Sequence, residues 1–177
     1  MQLLVDKIKA AIRDVPDFPK PGIMFKDITP IFHDQKLCNE ITDAFCEPFK
    51  ANKPDAIVGI ESRGFLFGML MANKLGIPFV MIRKAGKLPY KTISREYALE
   101  YGTAKIEMHI HAVKKGWNVV IHDDLLATGG TAVAAAELVK NAGANVSCFN
   151  FVVELDFLNG KEKLKNHTNN VQCLIHY

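Results

Sequence analysis

The stretch Val119-Val120-Ile121-His122-Asp123-Asp124-Leu125-Leu126-Ala127-Thr128-Gly129-Gly130-Thr131 decides how this chain is read. Its opening apolar run, from Asn118 to Ile121, suits a strand buried on both faces. Two adjacent carboxylates close that strand. A turn with two glycines and two threonines follows, and a helix runs from Gly130 to about Asn141. Glycines let backbone N–H groups approach an anion, and the helix start adds its dipole. Thr128 and Thr131 supply hydroxyl donors, while Asp123 and Asp124 can accept from a sugar diol. Together they describe a site for a ribose 5-phosphate. No GxxxxGK[ST] string occurs, so a Walker-type nucleotide site is unsupported.

Outward from this stretch the same alternation repeats. Ala56–Ile60 and Phe79–Ile82 are short apolar runs, and the segment between them, 64–75, reads as a helix ending at Gly76. Val146–Val153 is a further strand, and Val171–Ile175 a possible last one. Strand and helix in alternation predict an α/β fold, with a mostly parallel central sheet flanked by helices. Ligands of such sheets bind beyond the C-terminal ends of the strands. The N-terminal part differs. Leu3, Leu4, Ile8, Ala11 and Ile12 recur at helical spacing, which predicts a helix over 3–13. Three prolines between Pro16 and Gly22 forbid regular helix there. Leu37, Ile41, Phe45 and Phe49 predict a second helix, ended or kinked by Pro48.

A chain of 177 residues with 49% hydrophobic residues suits one globular domain with a substantial core. No apolar run approaches the roughly 18 residues of a membrane span. The first 13 residues mix Asp6, Lys7, Lys9 and Arg13 among apolar ones, unlike a signal peptide. The four cysteines form no CxxC pair. They read as reduced thiols in the cytoplasm, and no zinc site is expected. The net charge of +3 is local: Arg83, Lys84, Lys87, Lys91 and Arg95 outnumber Glu96 and Glu100 between 83 and 102, and the remainder is balanced. A nucleic-acid binder would spread its basic residues over a face, whereas a local excess fits a compact anionic ligand. That long segment has little apolar periodicity and suits a lid or binding loop.

The string Asp123–Thr131 resembles the phosphoribosyl pyrophosphate (PRPP) motif of the type I phosphoribosyltransferase family, and in the form DDLLATGGT its adenine-specific branch. Phe18–Pro30 is similar to that branch's adenine-site segment, and Glu61-Ser62-Arg63-Gly64-Phe65 to its pyrophosphate loop. Arg83–Pro89 opens a segment similar to the family's flexible loop, and Leu99-Glu100-Tyr101-Gly102 closes it. The matches run in family order from about residue 16 to 165.

The resemblance implies a single domain over 1–177, with a small N-terminal hood over about 1–34 and a flexible catalytic loop over about 83–102. It implies transfer of the phosphoribosyl group to N9 of adenine, giving AMP and pyrophosphate. Asp123 and Asp124 would hold the ribose hydroxyls, and Ala127, Thr128, Gly129, Gly130 and Thr131 the 5-phosphate. Ser62, Arg63, Arg83, Lys84 and Lys87 would bind pyrophosphate, with Tyr101 supporting the loop. Met24, Phe25, Lys26, Asp27 and Leu155 would frame adenine, and Glu100 would be the catalytic acid. Loop closure would shield an oxocarbenium-like sugar from water. Magnesium would travel on pyrophosphate oxygens and water, with no dedicated protein metal site. A homodimer and a cis peptide near Ser62 are also implied. Two departures stand out. Lys26 replaces the more usual Arg and loses its planar fork; His122 replaces an apolar residue and has no assigned role. His109 and His111 alternate on an expected strand without an evident third metal ligand. The competing readings are a transferase for another purine and a non-catalytic PRPP sensor. The sensor reading calls for an added DNA-binding domain or a broad basic face, and this sequence offers neither.

Overall fold

The strand from Asn118 lies inside a seven-stranded sheet. The structure is a computed structural model and describes residues 2–98 and 102–177. Its contacts divide the chain into two units, Met1–Ala44 and Phe45–Tyr177. The first unit holds helix α1 (Gln2–Ala11), strands β1 (Arg13–Pro16) and β2 (Met24–Asp27), and most of helix α2 (Gln35–Cys46). β1 and β2 pair antiparallel, from Arg13 opposite Asp27 to Pro16 opposite Met24. Pro16 is tolerated because it lies at the end of a two-stranded ribbon. Ile8, Ile28, Ile31 and Ile41 are fully buried. Asp27 takes two bonds from the Arg13 guanidinium, the shorter 2.6 Å, and its carboxyl is held down at about 2 chiefly by that partner.

The second unit runs β3 (Ala56–Ile60), α3 (Gly64–Leu75), β4 (Phe79–Lys84), β5 (Thr92–Ala98), β6 (Thr103–His109), β7 (Asn118–Leu126), α4 (Gly130–Asn141), β8 (Asn145–Glu154), α5 (Gly160–Leu164) and β9 (Val171–His176). The sheet order is β5-β6-β4-β3-β7-β8-β9. Pairs among β4, β3, β7, β8 and β9 are parallel, while β6 pairs antiparallel with both β4 and β5. This is the expected α/β fold with a mostly parallel sheet.

Alternation along β7 sends successive side chains to opposite faces. Val119 and Ile121 meet the alanine-rich side of α4, where Ala132, Ala135, Ala136 and Val139 are buried with Phe149 and Phe151. The other face takes α3, and glycines set how near it comes. A Cβ at Gly64 would fall 2.6 Å from the His122 carbonyl oxygen, and one at Gly68 would fall 2.8 Å from the Phe79 ring. No larger residue fits without displacing backbone or ring. The close approach brings Arg63, just ahead of α3, to the end of β7.

Several expectations change. β7 runs on to Leu126, so Asp123 and Asp124 sit within the strand, with Asp123 opposite Phe151 and Leu125 opposite Val153 on β8. α1 stops at Ala11, and the chain turns directly into β1. The segment 83–102, read as one long loop, contains the end of β4 and the whole of β5, leaving an irregular turn at 85–91. β5 escaped notice because it is an edge strand, largely exposed and carrying Arg95 and Glu96. His109 ends β6, but His111 lies in a turn with φ of 64°.

His122 faces α3 and is fully buried between Phe45 and Phe67, with ring centroids 5.3 and 6.5 Å away. Its Nδ1 lies 2.9 Å from Asn150 Oδ1, and Asn150 Nδ2 donates to Gln172 Oε1 at 2.7 Å. Since the Asn150 amide is already a donor to Gln172, its oxygen accepts, and Nδ1 carries the imidazole proton. Nε2 has no partner. Burial holds the ring neutral, with a pKa lowered to about 4 against Asn150's opposing effect. A depressed folded value means that the neutral ring's contribution is complete above the unfolded pKa near 6.5 and is lost as pH falls toward 4. At about 1.4 kcal/mol per unit, the loss approaches roughly 3 kcal/mol. His122→Val should flatten the decline of unfolding free energy between pH 6.5 and 4, measured by urea titration. It should also cost about 1–3 kcal/mol at pH 7, because Asn150 loses its donor. An unchanged acid limb would exclude His122 as its source.

Candidate active site

The C-terminal stretch of β7, the turn Ala127–Gly129 and the start of α4 enclose a pocket of about 80 Å³ lined by Asp123, Ala127, Thr128, Gly129, Gly130 and Thr131. That is room for roughly two or three water-sized groups. Two glycines make the turn possible. Gly129 has φ of 78°, and a Cβ there would meet Gly160 O at 2.7 Å. A Cβ on Gly160 would land 2.1 Å from Ala127 O. The turn is therefore pressed against the start of α5. The first bond accepted by Gly129 O comes from Val133 N at 2.9 Å, so the preceding amides of α4 lack intrahelical partners and can serve an anion.

Asp124 is 3% exposed. Asp123 Oδ1 accepts from Asp124 N–H at 2.9 Å. Burial raises both carboxyl pKa values; the neighbouring Asp124 charge adds to the rise at Asp123, and the Arg63 guanidinium opposes it at Asp124. Arg63 Nε lies 2.9 Å from Asp124 Oδ2. That is an ion-pair distance without hydrogen-bond alignment, and Oδ2 is left with no hydrogen-bond partner. Asp124 thus keeps a buried acceptor without a hydrogen bond, one residue along β7 from the Asp123 that lines the pocket. The Glu61–Ser62 peptide ahead of Arg63 is cis.

The basic segment is arranged around two other carboxylates. Glu61 Oε2 accepts from Arg83 Nε at 3.0 Å and Lys84 N at 2.8 Å. Glu107, buried on β6, accepts from Lys87 N at 3.1 Å, Leu88 N at 3.0 Å and Thr92 Oγ1 at 3.3 Å. Its pKa is lowered, first by the Leu88 amide, against the opposing effect of burial. Beyond the turn, β5 lies along α4: Arg95 pairs with Glu137 at 2.6 Å, and Thr131 Oγ1 donates to Tyr97 OH at 3.2 Å.

In the second unit, then, Asp123, Asp124 and 127–131 come together with Arg63. Arg83 and Lys84 end β4 on Glu61, and Lys87 lies in the following turn held by Glu107. Met24, Phe25, Lys26 and Asp27 form β2 in the first unit, where Lys26 Nζ pairs with Asp14 at 2.7 Å and Phe25 meets the Phe18 ring edge-on. Leu155 follows β8, and its N–H donates to Leu126 O at 2.9 Å. Glu100 and Tyr101 lie outside the described residues. Sequence reasoning placed Glu61 in the pyrophosphate loop without giving it a role, and missed Tyr97, Glu107 and Gly160. Tyr97 had a weak signal, since Ile93, Arg95 and Tyr97 alternate toward α4; a lone buried Glu107 had none.

Residues 28–176 match the model of the phosphoribosyl transferase domain family. The chain is 51% identical over 176 residues to the adenine phosphoribosyltransferase of Cytophaga hutchinsonii, covering 99% of this chain and 97% of that one. This chain belongs to the adenine phosphoribosyltransferases, within the type I phosphoribosyltransferase family. Solved relatives share the fold throughout. The Rhodothermus marinus adenine phosphoribosyltransferase superposes with a TM-score of 0.94 at 46% identity, covering 100% of both chains. The Saccharomyces cerevisiae enzyme, solved with an imino-altritol bisphosphate and adenine, gives 0.92 at 45% identity, covering 99% of this chain and 100% of that one.

Within this phosphoribosyltransferase, the contact between Gly129 and Gly160 shapes the turn Ala127–Gly129. Gly160→Ala should push Ala127–Gly129 out of place. Calorimetric titration with ribose 5-phosphate should then show affinity weakened at least about tenfold, or about 1.4 kcal/mol. Unaltered affinity in the folded variant would mean that the turn does not grip the phosphate.

Proposed function

We propose that the chain transfers the 5-phosphoribosyl group of PRPP to N9 of adenine, forming AMP and releasing pyrophosphate. The observation that carries this reading is the pocket formed by Asp123 and 127–131, next to the buried Asp124, in a chain about half identical to adenine phosphoribosyltransferases over nearly its whole length. The carboxylates accept from the ribose hydroxyls. The unpaired amides at the start of α4 and the Thr128 and Thr131 hydroxyls hold the 5-phosphate. Arg63, Arg83, Lys84 and Lys87 provide cationic charge for pyrophosphate, with Ser62 in the same loop, so charge is offset as the leaving group departs. Most of the rate comes from positioning two reactants and excluding water.

Residues of about 1–34 are assigned as the hood of a single domain. Met24, Phe25, Lys26 and Asp27 are assigned to the purine, whose edge the backbone groups of β2 can read, and Leu155 is assigned to it as well. Glu100 is assigned as the acid that assists the base, and Tyr101 as a support of the segment 83–102, which is read as the lid. Magnesium is assigned as the companion of PRPP, held mainly through pyrophosphate and water. Hard carboxylate oxygens suit such an ion, and Asp124 Oδ2, buried with no hydrogen-bond partner, fits an approaching cation or hydroxyl. Bound there, the ion would neutralise phosphate charge. Assembly as a homodimer is supported by exposed Leu66, Met69 and Leu70 on α3. No helix among the described residues is long and apolar enough to cross a membrane. All four cysteines are free, which supports a cytoplasmic setting.

Adenine offers an amino donor at C6 and an acceptor at N1; hypoxanthine in its lactam form reverses both. A site with fixed main-chain partners leaves buried groups unpaired with the wrong base, and such sites discriminate by about 10⁴-fold or more. Competition between the two bases at equal concentration and limiting PRPP should therefore yield AMP almost alone. IMP formed at a comparable rate would refute the adenine assignment while leaving phosphoribosyl transfer intact.

A further inference from the structure

A second group of polar side chains, given no part in the substrate site above, stands where β8 and β9 end. Glu154 is the last residue of β8, Asp156 follows Leu155, and His176 ends β9 in register with Glu154. One ligand atom from each lies within 4.8 Å of the others. His176 Nδ1 is 3.0 Å from Asp156 Oδ1 and 3.5 Å from Glu154 Oε2. Ligands bound tetrahedrally at about 2.0–2.1 Å from zinc sit about 3.3 Å apart, so these separations already resemble one face of a coordination shell.

The independent observation is the state of Glu154. The residue is 5% exposed, and its Oε2 has no hydrogen-bond partner. The Cys173 thiol hydrogen-bonds the same carboxylate and helps fix it. The His176 ring is close enough to attract Oε2 but is not aligned to donate to it. A buried carboxylate oxygen without a donor is costly. An ordinary His176–Asp156 surface pair would contribute little and would leave that oxygen unsatisfied.

We propose that Glu154, Asp156 and His176 form a binding site for a first-row divalent cation, with zinc the best match. One imidazole and two carboxylates favour such an ion over magnesium or calcium, which prefer oxygen alone. The ligands are positioned before the ion arrives: Asp156 N donates to Tyr177 O at 2.9 Å, and Tyr177 N donates to Glu154 O at 3.0 Å. Asp156 and His176 are about half exposed on their side chains, at 59% and 48%, which gives the ion a way in and leaves room for water as a further ligand. Leu155 lies between two of the ligands, so the ion would staple its backbone to the end of β9. The site stands whether or not the substrate assignment does.

Zinc alone is the probe. Isothermal titration of metal-free protein should show one ion bound at micromolar Kd or tighter, and Tm should rise with zinc concentration. His176→Gln alters a half-exposed side chain and should fold; it should weaken this binding at least tenfold and abolish the Tm rise. Glu154→Gln should do the same. Cobalt in place of zinc should give a visible absorption band in the wild type that His176→Gln loses. Absence of binding, or equal zinc affinity in wild type, His176→Gln and Asp156→Asn, would overturn the proposal.

Discussion

The placing of two adjacent carboxylates inside a buried strand constrains everything around it. Asp123 and Asp124 lie in β7 with strands on either side and helices above and below. Burial works against the ionisation of both, and the Asp124 charge adds to the rise at Asp123. The fold compensates incompletely. Asp123 gains the Asp124 amide, and Asp124 gains the charge of Arg63 without a well-aligned hydrogen bond. A core built for stability alone would place apolar residues here, as it does at Val119 and Ile121. The remaining acceptor capacity is what a ribose diol or its accompanying cation can use.

The surrounding sequence serves that constraint. Gly64 lets α3 lie against β7 closely enough for Arg63 to reach Asp124, and Gly68 lets it settle on the Phe79 ring of β4. Alanines along α4 let the other helix settle on the opposite face, so its unpaired amides open beside Asp123. Gly129 and Gly160 then press the connecting turn into shape. Glu61 and Glu107 fix the backbone of the basic segment through hydrogen bonds from the Lys84, Lys87 and Leu88 amides.

Legibility in the sequence followed the strength of local signals. The 119–131 string carried strand, turn and helix in order, and its helix from Gly130 to Asn141 stands as read. Gly76, in the left-handed region with φ of 67°, ends α3 where it was expected to. β5 was hidden because its exposed edge carries charge rather than an apolar stripe. β7 was read too short because a carboxylate pair looks like a strand end, while its pairing with β8 continues to Leu126 opposite Glu154. Glu107 reads as a surface acid until the fold turns it toward the Lys87 and Leu88 amides. The Glu154, Asp156 and His176 group was invisible because parallel pairing, not sequence spacing, brings β9 beside β8. His122 stood out as a departure, but only the fold shows the polar row through Asn150 to Gln172.

The central claim is that β7 and the turn after it hold the ribose 5-phosphate. A crystal structure with AMP bound tests it most directly. The phosphate should lie against the amides and hydroxyls of 127–131, with the ribose hydroxyls on Asp123 and Asp124. A phosphate seated instead on Arg83, Lys84 and Lys87, with the ribose away from both aspartates, would contradict it.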